Sequence, residues 1–439
     1  MSFWLKVITT VSAAVCIVSL LALSGLASRT TEGERTDRSV PGWQSMPAAA
    51  SDTGAMTSTL QLLSGILPVV ADQGNQLVDR LAEINNAPGV VRNELLLSFK
   101  SPEALAAFRA RAAGQGLRVV SSDPRLLSAR VRYDSPEAMA RELRDNADDY
   151  ENIGLNYLVW VPGMPDETQT DANNAGGRQP YGDSGLAAIG ATGDRSTWGR
   201  GVSVALLDTG VTEHPSLSGT QVVHYDLVKD GTPPNGHGTA MASLIAGTGE
   251  DEGGAATASR LMDIRVADVN GESNTALVAD GIMQAVDQGA RVINISLGTT
   301  GDSAVLRRAV AYAVERGVVI VAAAGNEQQT TLSYPAGYEG VISVGAMDAE
   351  GVQAYFSNSG ETLTISAPGV GIVSAYSNGR TVIGSGTSQA TAITTGVVST
   401  LLGWGYLPQN IVSTLTSSAQ QTGAPQDKVG AGLLQVPKR

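Results

Sequence analysis

Val202-Ser203-Val204-Ala205-Leu206-Leu207-Asp208-Thr209-Gly210 is the stretch that decides the fold. Residues 202–207 read as a strand buried on both faces, and an acid stands where the apolar run stops. Runs of the same kind recur at 261–266, 292–295, 318–323 and 341–344. Helical spacing fills the gaps at 276–288 and 303–315, and Gly317 closes the second as a C-terminal cap. Alternating buried strands and helices predict an α/β domain with a doubly wound, mostly parallel sheet. Such sheets carry their sites at the carboxyl ends of the strands.

The residues upstream follow another grammar. Strands are expected at 94–99, 117–121, 126–133 and 155–161. Ser101-Pro102-Glu103 and Ser135-Pro136-Glu137 each open a helix, with serine as N-cap and proline in the first turn. The order βαββαβ predicts a small α+β domain of ferredoxin-like type, which by itself names no function. Further upstream, Lys6 precedes an apolar run over 7–27 that ends in Gly25-Leu26-Ala27. Two readings stand: a signal peptide cleaved before Ser28, or an uncleaved membrane anchor. The chain thus divides into a targeting segment 1–27, a linker 28–91 with a short amphipathic helix expected over 60–84, the small domain 92–162, an exposed Asp/Asn/Gly-rich linker 163–182 and the large domain 183–439.

Composition narrows the function. A net charge of −13 over 439 residues argues against nucleic acid as a partner, because a phosphate-binding face must be basic. The one cysteine, Cys16, excludes a disulfide framework and multi-cysteine metal sites. Three histidines leave little material for a histidine metal cluster.

Three residues carry chemistry when taken together. Asp208 ends a buried strand, where an acid alone is commonly a turn residue or a cap. His237 lies in Asn235-Gly236-His237-Gly238-Thr239, and Ser388 in Gly384-Ser385-Gly386-Thr387-Ser388-Gln389-Ala390 before apolar residues at helical spacing. Each alone is an ordinary cap; jointly they supply an orienting acid, a base and a nucleophile. No histidine follows residue 237, so the Ser-acid-His order of α/β-hydrolases is excluded for Ser388. Gly182-Asp183-Ser184-Gly185 imitates a chymotrypsin serine motif, but no histidine precedes it. The order left is Asp-His-Ser, that of subtilisin.

From about residue 180 onward the chain resembles the subtilisin-like serine proteases. The resemblance rests on five segments in order: Val204 to Gly210, Gly236-His237-Gly238-Thr239, Asn294-Ile295-Ser296-Leu297-Gly298, Ala322-Ala323-Ala324-Gly325-Asn326 and Ser385-Gly386-Thr387-Ser388. It implies that Ser388 attacks a peptide carbonyl, His237 takes its proton and Asp208 orients the imidazole. It also implies that Asn326 donates to the oxyanion together with the Ser388 amide. Substrate would lie as a strand between Gly271-Glu272-Ser273 and Ser296-Leu297-Gly298. Ala323, Ala324, Gly325 and Ser333 would line the pocket for the residue before the scissile bond, with an apolar preference, and Thr275, Val278 and Leu297 the pocket three residues upstream. Residues 92–161 resemble the family's propeptide, an intramolecular chaperone and inhibitor.

The implied protein is an exported serine endopeptidase made as a self-inhibited precursor, acting on proteins or peptides and needing no cofactor for its chemistry. Two alternatives keep the same site: an inactive peptide-binding relative, and a ligase or cyclase using the acyl-enzyme. The chain departs from the family's usual pattern at Ala240 and at Gln389-Ala390-Thr391-Ala392-Ile393, which touches local packing and not a triad member. The acidic loop 248–254 stands where some relatives hold structural calcium but lacks their pattern, so a solvated loop is the reading adopted and no metal site is assigned.

Overall fold

The computed structural model describes residues 74–161, 178–249 and 253–438. The targeting segment 1–27, Cys16, most of both expected linkers and the acids Glu250, Asp251 and Glu252 lie outside the described residues.

The small domain runs α1 (Gly74–Asn85), β1 (Val90–Phe99), α2 (Pro102–Ala112), β2 (Leu117–Asp123), β3 (Ser128–Tyr133), α3 (Pro136–Asp145) and β4 (Tyr150–Trp160). Its sheet has the antiparallel order β2-β3-β1-β4. Ser101 and Ser135 cap their helices as expected, each hydroxyl accepting a backbone N–H at 3.2 Å. Phe99, Phe108 and Tyr150 centre the core. α1 corrects one boundary. Leu77, Leu81 and Ile84 form an apolar stripe one helical turn apart and are buried in this core. The last part of the stretch expected as linker to residue 91 is therefore domain structure.

The large domain contains β5 (Ser203–Asp208), β6 (Val222–Asp226), α4 (Gly236–Ala246), β7 (Arg260–Arg265), β8 (Glu272–Asn274), α5 (Thr275–Asp287), β9 (Val292–Ile295), α6 (Ala304–Glu315), β10 (Val319–Ala323), β11 (Val341–Met347) and β12 (Ile365–Pro368). It continues through a hairpin, β13 (Ile372–Tyr376) and β14 (Arg380–Gly384), to α7 (Thr387–Gly403) and α8 (Ile411–Ser418). Seven strands form a parallel sheet in the order β12-β11-β10-β9-β5-β7-β6. Val204 and Leu206 of β5 bury under α4 and α7, and Ala205 and Leu207 under α5 and α6. That two-sided burial is why the strand reads as a continuous apolar run. The chain winds outward from β5 both ways, to β7 and β6 on one side and to β9 through β12 on the other. The end of β5 is thus the crevice where open α/β sheets bind ligands. Residues 179–182, expected within an exposed linker, are instead packed: Tyr181 is buried and donates to the Val370 carbonyl at 3.0 Å.

The two domains share a sheet. β4 pairs antiparallel with β8, setting Leu158 opposite Asn274, Val159 opposite Ser273 and Trp160 opposite Glu272. Asn156 is fully buried at the joint. Its amide nitrogen donates to Glu94 at 2.9 Å, and its oxygen accepts the Ala276 N–H, in the first turn of α5, at 3.1 Å. Burial alone would raise the Glu94 carboxyl; hydrogen bonds from Arg130, Asn156 and Arg132 outweigh it and hold the group below the usual range. Glu94 thereby stays ionised as the charged anchor of the joint.

Candidate active site

β5 delivers Asp208 to the carboxyl end of the sheet, fully buried. The following turn is held by Thr209, whose N–H donates to Asp208 Oδ1 at 2.7 Å. Gly210 takes φ +95°, a conformation that favours glycine. His237 occupies the first turn of α4, which Asn235 caps by accepting the His237 N–H at 3.0 Å. His237 Nδ1 faces Asp208 Oδ1 at 2.7 Å, with the two side chains 2% and 0% exposed. Gly238 N–H donates to Thr209 Oγ1 at 3.1 Å, tying the acid's turn to the histidine's helix.

Glycine is required at that crossing. A Cβ on Gly238 would overlap the Gly210 carbonyl. Gly238→Ala is expected to destabilise the domain by about 1–3 kcal/mol through overpacking. The check is a lowered midpoint of thermal unfolding, with the largest backbone shifts at 208–211 and 236–239.

Ser388 stands in the first turn of α7, buried, and its hydroxyl donates to the Ser296 carbonyl at 3.3 Å. α4 and α7 pack against each other on one face of the sheet, so the histidine and the serine enter the crevice from neighbouring helix N-termini. Asn326 follows β10. Its Oδ1 accepts both the N–H and the hydroxyl of Thr387 at 2.9 Å, which fixes the amide beside the residue preceding Ser388. No local sequence signal marks Thr387 for this role, because its contact with Asn326 spans 61 residues.

Gly271, Glu272 and Ser273 form one edge of a cleft, and Ser296, Leu297 and Gly298 the other. Both edges hold the end of β4. Trp160 and Gly298 exchange two backbone bonds of 3.0 and 2.9 Å, and Val161 N–H donates to the Gly271 carbonyl at 2.9 Å. Val159 buries in the cluster that contains Val278 and Leu297. Glu272 is half-buried, and burial together with the Asp268 charge raises its carboxyl above the usual range.

Ala323, Ala324, Gly325 and Ser333 are each buried, and the Ser333 N–H donates to the Ala324 carbonyl at 2.9 Å. The wall there is more polar than the residues implied. Buried Asn358 accepts the N–H groups of Glu327 and Gln329 at 3.0 and 2.9 Å, and donates to the Glu327 carboxylate at 2.8 Å. A Cβ on Gly325 would overlap the Asn358 amide, so no side chain fits there. No local sequence signal marks Asn358, which reaches this loop from about 30 residues away.

Residues 199–432 match the subtilase family, Peptidase_S8. The chain belongs to this family. The subtilase is 32% identical over 364 residues to the thermophilic serine proteinase of Bacillus sp. (strain AK1), spanning 80% of this chain and 88% of that protein. It is 40% identical over 230 residues to thermitase of Thermoactinomyces vulgaris, spanning 51% and 82%. Among solved structures, fervidolysin from Fervidobacterium pennivorans, a keratinolytic enzyme related to subtilisin, superposes with a TM-score of 0.66 at 26% identity. That match covers 79% of this chain and 60% of the other. The protein is a subtilisin-like serine protease, and its substrate class is proteins or peptides. Among the described residues, no group of three His, Cys, Asp or Glu side chains is placed to hold a metal ion. No helix there is long and apolar enough to cross a membrane.

Proposed function

We propose that this subtilase is an endopeptidase whose nucleophile is Ser388, whose base is His237 and whose orienting acid is Asp208, made as a precursor inhibited by its own small domain. The observation that carries the reading is the seating of β4. Trp160 is bonded to Gly298, and two residues back along that edge the Ser296 carbonyl takes the Ser388 hydroxyl. The antiparallel strand therefore heads for the nucleophile, as a substrate strand added to a sheet edge would.

The chemistry follows from the pairings. With Nδ1–H donating to Asp208, Nε2 of His237 is the basic nitrogen. It removes the Ser388 proton as Oγ attacks the carbonyl carbon. The oxyanion is held by the Ser388 N–H and the Asn326 side-chain amide, and the helix N-terminus adds positive potential. The imidazolium then protonates the leaving amine. Water, deprotonated by the same nitrogen, frees the acid product and restores Ser388. A fluorophosphonate probe tests this directly. It should label Ser388 in the processed protein; an unlabelled protein with intact structure would refute the reading.

The 7–27 segment serves export in this proposal. N-terminal sequencing of active protein checks both processing steps: the active chain should begin within 163–182, and a start before residue 92 would refute removal of the small domain.

The joint between domains makes inhibition depend on pH. Asp280 of α5 faces Ser121, Arg130 and Asp123 of the small domain. Burial raises its carboxyl to about 6, against weaker lowering by Ser121 and Arg130, and Asp123 adds to the rise. Undocked, the group returns to its ordinary value near 3.8. Docking therefore takes up a proton, is strongest in acid, and weakens as pH climbs towards 6. In full-length Ser388→Ala protein, hydrogen exchange at Trp160 and Val161, corrected for intrinsic rate, should show about tenfold more opening at pH 7 than at pH 5. Asp280→Asn should flatten that dependence; an unchanged slope in the variant would reject the assignment.

A further inference from the structure

A second histidine–aspartate pair lies beneath the proposed triad. On the face of β7 turned to α4 and α7, Leu261 is followed by two charged side chains, Asp263 and Arg265, each 4% exposed. The register sets Asp263 opposite Leu206 on β5 and His224 on β6, and Arg265 opposite Asp208 and Asp226. Asp263 Oδ2 accepts the Val211 N–H at 2.9 Å and faces His224 Nδ1 at 2.8 Å. Val211 is the residue that leaves the Asp208-Thr209-Gly210 turn. The next residue, Thr212, donates its N–H to Thr239 of α4 at 2.9 Å. The turn that presents the acid to His237 is thus pinned from β7 on one side and from the histidine's own helix on the other.

A buried carboxylate costs several kcal/mol to desolvate. Asp263 Oδ1 has no hydrogen-bond partner among the described residues, so the group is not a saturated structural anchor. The peptidase chemistry does not use it.

We propose that Asp263 and His224 form a positioning pair that holds the Asp208 turn in its working geometry and links the charge of His224 to turnover. The inference rests on Asp208 being the orienting acid. An ionised Asp263 accepts the Val211 N–H as a charge-assisted bond. Burial raises its carboxyl, and the Asp208 charge adds to the rise; His224 and Val211 oppose both. The hydrogen bond to Asp263 raises the His224 imidazole in turn, so the two titrate as a unit. Charged groups near the pair include Asp208 on β5, Asp226 on β6 and Arg265 on β7, and Glu213 and His214 line the same cavity as His224. Arg265 is already engaged, with Asp230 at 3.0 Å and the Thr232 carbonyl at 3.0 Å, and His214 lies against Ser216 and the Arg380 carbonyl.

The test is kcat and KM for a chromogenic peptide from pH 5 to 9, using processed wild type, Asp263→Leu, Asp263→Asn, His224→Gln and Asp208→Asn. Asp263→Leu should lower kcat about tenfold with KM changed less than about twofold, as loss of a transition-state alignment does. Asp263→Asn, which like protonation removes the charge but keeps an acceptor for Val211, should lower kcat by less than Asp263→Leu and do so across the whole pH range. His224→Gln removes the cation, so Asp263 protonates at higher pH and the acid limb should move up by about one pH unit. The limb should stay put when Asp263→Asn is added to His224→Gln. A wild-type kcat in Asp263→Leu, or a His224→Gln profile that superimposes on wild type, overturns the pairing. His224 is 60% exposed, so its variant folds and decides the matter even where Asp263→Leu does not. An active Asp208→Asn would instead refute the triad reading itself.

Discussion

Ser388→Ala is expected to leave a folded precursor that neither hydrolyses peptides nor sheds its small domain. The loss in kcat should be about 10⁶-fold, the size such triads show when the nucleophile is removed. Only the hydroxyl that donates to the Ser296 carbonyl is deleted, and the site is otherwise buried and packed, so stability should change little. The measurements are peptide hydrolysis and the mass of the purified chain after prolonged incubation. Because β4 already occupies both cleft edges, the uncut chain should also protect the cleft from added inhibitor peptides. Cleavage within 163–182 by the alanine variant, in a preparation free of other proteases, would show that processing is not its own work.

Asn326→Ala is expected to cost about 10²–10³ in kcat, the loss that removing one oxyanion donor causes in this family. KM should stay within about twofold, because the donor acts on charge that develops only in the transition state. Thr387 makes this sharper than a generic deletion. By donating twice to Asn326 Oδ1 it fixes which end of the amide carries the nitrogen, the end that the proposed mechanism aims at the oxyanion. Thr387→Val, which drops the hydroxyl donor and keeps the backbone one, should give a smaller loss of the same kind. Equal falls in kcat and rises in KM for Asn326→Ala would mean that it shapes substrate binding, and the oxyanion role would be withdrawn.

What the sequence determined alone is what local chemistry dictates. Two-sided burial wrote the strands β5, β7, β9, β10 and β11 as apolar runs. Serine caps with proline in the first turn wrote α2 and α3. The order Asp208, His237, Ser388 by itself excludes two other hydrolase frameworks. β6 and the hairpin β13–β14 are not legible in the sequence because they are short or half-exposed, with little periodicity to detect. α1 reads mostly as linker because its stripe has meaning only against the core it covers.

The tertiary structure decided every relation between residues distant in the chain. Asp263 and Arg265 both interrupt the run 261–266, and only the fold shows what Asp263 meets: β6 brings His224 to its side and the turn after β5 brings Val211. Asn358 and Thr387 reach the Asn326 loop across 29 and 61 residues respectively. The seating of β4 between Gly271 and Gly298 is likewise invisible in either strand alone. Backbone hydrogen bonds carry no side-chain signature, so the edge a strand will choose is not written in its own residues. It is set by which edge the fold leaves unpaired.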